Sequence, residues 1–95
     1  MTTTEVWFGD YGYDLTINTG FDLSTATTLE LEIKPYHGGS TKTITCTAAS
    51  TTEVTAPVAD GDFDRIGLWE CQVKATFASA VRYGDKFRVQ VVENN

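Results

Sequence analysis

The chain predicts an all-β fold: a two-layer antiparallel sandwich of about seven strands. Three observations carry that expectation. Seven segments alternate apolar and polar residues with a period of two, and none shows the 3.6-residue period of an amphipathic helix. Glycine and aspartate turns separate them at spacings of roughly ten to fifteen residues, a pattern that favours a sandwich over a closed barrel. The longest alternation, opened by Gly67, sets Trp69, Cys71, Val73, Ala75 and Phe77 on one face and Leu68, Glu70, Gln72, Lys74 and Thr76 on the other, as a half-buried strand requires.

The elements follow in order. Thr4 to Phe8 is the first strand, and Tyr13 to Asn18 the second, with Tyr13, Leu15 and Ile17 on one face. Asp22 to Thr27 is read as a single short turn in which Asp22 or Ser24 accepts bonds from otherwise unpaired amides. Thr28 to Lys34 sets Leu29, Leu31 and Ile33 inward and Glu30 and Glu32 outward. Pro35 to Ser40 is a loop whose glycines can take positive φ. Lys42 to Ala48 alternates Ile44 and Cys46 with β-branched threonines, which suit a solvated pleated face. Glu53 to Val58 is the weakest strand, because Pro57 has no N–H for a ladder and belongs at an edge or a strand end. Gly67 to Phe77 supplies the core, and Lys86 to Val92 closes it with Phe87, Val89 and Val91.

Composition bounds the rest. Ninety-five residues with 41% hydrophobic content form one domain, 1–95, long enough to bury roughly two-thirds of its unfolded surface. A net charge of −6 repels phosphate backbones and anionic lipid, so neither nucleic acid nor a membrane is an expected partner. No basic and apolar leader opens the chain and no apolar run reaches membrane-spanning length, so a soluble product made in the cytoplasm is expected. Cys46 and Cys71 match no metal knuckle. Both sit on apolar strand faces, which leaves open two buried free thiols or a bridge between facing sheets.

Gly67-Leu68-Trp69-Glu70-Cys71 resembles the G-x-Y-x-C opening of strand F in immunoglobulin-like domains. The expected B strand carries no Cys and the expected C strand no Trp, so the resemblance implies an immunoglobulin-like sandwich without the usual disulfide. A longer resemblance runs through Asp14 to Ile17, Phe21 to Thr27, Leu31 to Pro35, Gly67 to Trp69 and Phe87 to Val91. In that order these segments resemble the small immunoglobulin-like domains of tailed-phage virion proteins, of the type at the amino terminus of baseplate upper proteins. What this implies is a structural or attachment module, in a baseplate, tail fibre or decoration, that contacts other virion proteins and copies of itself and resides in the virion. It implies no catalysis and no cofactor. A carbohydrate-binding sandwich and a small accessory protein that binds a host factor are the alternatives.

Few residues suggest chemistry. Asp60, Asp62 and Asp64 have the alternation of the first ligands of a calcium loop, but Arg65 stands where that loop needs Gly and Cys71 where it needs a bidentate Glu. His37 is the only histidine, and the cysteines it would need for nucleophilic catalysis are expected to point inward. No nucleophile elbow and no phosphate loop is present. The aromatic stretch Val6 to Tyr13 is different: of the adjacent rings Trp7 and Phe8, one is expected inward and the other exposed, with Tyr11, as a contact for protein or sugar. Trp7, Phe8, Tyr11, Tyr36 and His37 are therefore the expected interface residues.

Overall fold

The computed structural model describes residues 3–93 and contains nine strands: β1 (Thr3–Trp7), β2 (Tyr13–Asn18), β3 (Thr28–Pro35), β4 (Lys42–Thr45), β5 (Thr47–Ala48), β6 (Glu53–Val58), β7 (Gly67–Thr76), β8 (Val81–Tyr83) and β9 (Phe87–Val92). No helix occurs among the described residues. The larger sheet runs β1-β9-β7-β3-β4, with β8 also on β7, and the smaller runs β2-β6-β5. The two face each other as an immunoglobulin-like sandwich, 44 Å long and 24 by 22 Å across.

The core forms where the alternation places it. Trp69, Cys71, Val73 and Ala75 of β7 are buried, as are Leu31 and Ile33 of β3 and Val89 and Val91 of β9. The smaller sheet opposes them with Val54, Ala56 and Val58 of β6, and the half-buried Tyr13, Leu15 and Ile17 of β2 close its flank. Cys46 and Cys71 are both buried and free, which settles the thiol alternatives against a bridge. Pro57 is tolerated within β6 for a geometric reason. It lies opposite Asp14, and the Thr19 N–H to Thr52 carbonyl bond sets the ladder phase so that the backbone of this pair points away from its partner strand.

Four details differ from the sequence reading. The expected strand Lys42–Ala48 divides at Cys46, whose N–H still donates to the Leu29 carbonyl at 2.9 Å, while Thr47 and Ala48 cross to pair with β6 in the other sheet. β1 pairs with β9 in parallel, where purely antiparallel pairing was expected. Strand β8 has no sequence signal, because its three residues are all exposed. It pairs only with β7, and Gly84, just past its end, continues that pairing with a bond from its N–H to the Val73 carbonyl of β7 at 3.0 Å. Finally, neither Trp7 nor Phe8 faces inward. Val6 takes the buried position of β1, and an alternating strand then turns Trp7 to solvent.

Strand direction sorts the loops. β1, β3, β6 and β9 finish at the end where β2, β4 and β7 begin. The connections 8–12, 36–41 and 59–66 therefore gather at one end of the sandwich, and 19–27, 49–52 and 77–80 at the other.

Candidate functional site

The first of these ends carries the apolar surface. Trp7 is 52% exposed, Phe8 39%, Tyr11 61%, Tyr36 40% and Ile66 52%, and all five lie on its three loops or at the adjoining strand ends. His37 beside Tyr36 is exposed as well. All five expected interface residues are thus brought to one end, as two groups: Trp7, Phe8 and Tyr11 beside β1, and Tyr36 and His37 beside β3. The outer face of the larger sheet links them. Trp7 is in register with Val92, Leu68 with Gln90 two residues earlier on the same face of β9, and the Tyr36 N–H donates to the Leu68 carbonyl at 2.9 Å.

Two of the three loops at this end, 59–66 and 36–41, are braced by side chains, and 8–12 is held by backbone bonds from the Phe8 N–H to the Val92 carbonyl and from the Gly12 N–H to the Val58 carbonyl, both at 2.8 Å. Phe63 stands edge-on to Trp69 at 5.2 Å between centroids, closing the core, and the Trp69 Nε1–H donates to the Arg65 carbonyl at 3.1 Å. Lys42 faces the core side of β4, opposite Ile33, yet its Nζ escapes at the sheet end. There it donates to the Gly61 carbonyl at 2.6 Å and pairs with Asp64 at 3.0 Å. That lysine bond, more than any other cause, holds the Asp64 carboxyl below its ordinary pKa. Asp62 accepts the Ala59 N–H at 2.7 Å. Asp62 and Asp64 are therefore employed in holding this loop, and among the described residues no three His, Cys, Asp or Glu side chains converge as a metal site.

The 36–41 loop is fitted just as closely. Arg65 donates to the His37 carbonyl at 3.2 Å. Gly39 has φ +86°, and a Cβ there would lie 2.9 Å from Pro35 Cγ and 3.3 Å from the Arg65 guanidinium carbon; only glycine fits. The Arg88 guanidinium lies over the Tyr36 ring at 5.6 Å, a contact worth about 0.5–1 kcal/mol at an exposed site. Across the end, burial first, then the carboxylates of Asp10 and Asp62, raise the pKa of the Tyr13 phenol, which stays protonated.

Nucleophilic chemistry finds no support here. Burial pushes the Cys46 thiol up to about 11 and that of Cys71 to about 12, so both are neutral at physiological pH and shielded from substrate. The residue that sequence reading missed is Ile66. Its signal was present: continuing the β7 alternation back past Gly67 puts Ile66 in the outward phase of Leu68. Val81 and Tyr83, each 50% exposed, lie apart on β8, at the far end.

No family model matches the chain, and no curated protein matches it. Among solved structures it is similar to CopC from Methylosinus trichosporium OB3b, with a TM-score of 0.63 and 11% identity over 100% of this chain and 88% of that one. At that identity the likeness speaks for the β-sandwich alone.

Proposed function

We propose that this protein is a structural or attachment module of a phage virion, a baseplate, tail-fibre or decoration component, that works by protein–protein contact through its aromatic end. One observation carries the reading. Five of the seven large hydrophobic side chains exposed among the described residues, Trp7, Phe8, Tyr11, Tyr36 and Ile66, share one end of the sandwich, on loops held by side-chain bonds at 36–41 and 59–66 and by backbone bonds at 8–12. Aromatic anchors on a pre-ordered surface are what a protein interface requires, since little conformational entropy is lost on docking. The order of segments shared with phage virion domains supplies the setting. The mechanism is passive: the sandwich presents a fixed surface, and no bond is made or broken.

The test has two parts. Mass spectrometry of purified particles should find the chain, and Trp7→Ala with Tyr36→Ala should lower its incorporation while leaving the fold intact. Absence of the chain from particles would contradict the virion setting. Intact incorporation of the double variant would contradict the aromatic end as the contact. A glycan panel distinguishes the sugar-binding alternative, since quenching of Trp7 fluorescence by a saccharide would favour it.

A further inference from the structure

The edges of the two sheets are guarded unequally. β5 is two residues long and β4 only four, and beyond β5 the open side of β6 carries Pro57, devices that discourage pairing with another chain. β1 carries Glu5 at its centre, so a centred self-pairing would set that carboxylate against its copy. β2 has none of these protections. It runs six residues, Tyr-Asp-Leu-Thr-Ile-Asn, without Pro, Gly, Lys or a bulge, and among the described residues no strand pairs with its outer side. The ladder phase aims the N–H and C=O groups of Asp14, Thr16 and Asn18 outward. Beside this edge runs a groove of about 300 Å³ lined by Thr4, Leu15, Ile17, Asp85, Lys86 and Phe87, in which Leu15, Ile17 and Phe87 are only half-buried.

We propose that a second copy of this chain pairs antiparallel with the outer edge of β2 about a twofold axis at Thr16, joining the two smaller sheets into one. The residues around Thr16 are self-complementary in that register. Thr16 faces Thr16 of the second copy, Asp14 faces Asn18, and Leu15 faces Ile17 on the groove side, so every outward backbone group finds a partner and no carboxylate meets another. A register shifted to set Asp14 against its own copy would juxtapose like charges and leave backbone groups unpaired. The inference uses the side of the sandwich, not its aromatic end, and stands apart from the virion reading.

Sedimentation equilibrium across a dilution series tests it. The wild-type chain should dimerise, with the amides of Asp14, Thr16 and Asn18 protected from hydrogen exchange in proportion to dimer. Asn18→Asp retains the side-chain oxygen that accepts the Gly20 N–H at 2.9 Å, so the turn survives, but it places Asp14 against a carboxylate twice per dimer. It should weaken association about tenfold at low salt. Asp14→Asn combined with Asn18→Asp restores an amide opposite each carboxylate and should return the affinity to within about twofold of wild type. Thr16→Pro removes the central N–H at a position where Pro is tolerated, and should yield a folded monomer by circular dichroism. A wild-type monomer at all concentrations would overturn the proposal, as would a dimer indifferent to Asn18→Asp and Thr16→Pro.

Discussion

The two ends of this sandwich are held together by similar means and offer opposite surfaces. At the aromatic end, Lys42, Asp62 and Arg65 tie loops down through bonds to backbone carbonyls and amides, and Phe63 seals the core over Trp69. At the far end small hydroxyls and carboxylates do the same. Buried Thr19 donates its Oγ1 hydrogen to the Thr52 carbonyl at 2.7 Å, Asp22 accepts the Ser24 N–H at 2.9 Å, and Ser50 Oγ accepts the N–H of Glu53 at 3.1 Å. The far end spends its polar groups on itself; its loops expose mainly Ser, Thr and Ala, its exposed large apolar side chains are Val81 and Tyr83 of β8, and Arg82 is laid over Phe21 at 4.5 Å. The aromatic end is just as ordered yet leaves large rings in water. Order alone therefore does not separate a binding surface from a finished one; order combined with uncovered apolar area does.

The comparison can be pressed by substitution. The largest effect is expected at the plug of the aromatic end. Trp69→Ala should cost about 3–5 kcal/mol in chemical denaturation, because a fully buried ring leaves a cavity that the sheets cannot close. A loss under about 1 kcal/mol would mean that the core does not depend on this ring. Next come two glycines of nearly equal φ, Gly39 at +86° and Gly61 at +87°. Alanine at Gly61, which has open space around its would-be Cβ, should cost only about 1 kcal/mol of backbone strain. Alanine at Gly39 adds the collision with Pro35 and should cost about 2–3 kcal/mol. At the far end, Thr19→Val removes the bond to Thr52 at nearly constant volume and should cost about 1 kcal/mol.

Much of this architecture was legible in the residues. The inward rows of β3, β7 and β9 follow from alternation alone, because a strand in contact with a core has no other phase open to it. The Asp22 turn was legible for a similar reason: a carboxylate two residues before an unpaired amide has a local partner. The missed features depend on distant chain. Nothing within Lys42–Ala48 marks Cys46 as the residue where one strand leaves its sheet for the other, since that exchange depends on where β6 lies. β8 is strand only because β7 extends past β9 and needs a neighbour. In the site, the exposure of aromatic side chains was legible, but Val6 takes the inward phase and turns Trp7 outward, while Phe8, in the phase of Val6, is exposed just past the end of β1 at Trp7. That Tyr36 and Ile66 share an end with them follows from topology.

Acid titration gives the smallest effect and sets the two ends side by side. The Asp22 carboxyl is lowered chiefly by the Ser24 N–H and that of Asp64 chiefly by Lys42. A lowered folded-state value means that each contribution is present above the ordinary carboxyl range and is lost as pH falls through it. Melting temperature should therefore hold at neutral pH and decline below about pH 4. Lys42→Met should remove the Asp64 share of that decline and leave the Asp22 share.

Hydrogen exchange of the chain alone and in assembled particles tests the central claim most directly. If the aromatic end is the contact surface, assembly should protect amides in 7–12, 36–41 and 66–68 and leave 19–27 and 77–83 unchanged. Protection confined to the far end, or none at either end, would contradict it.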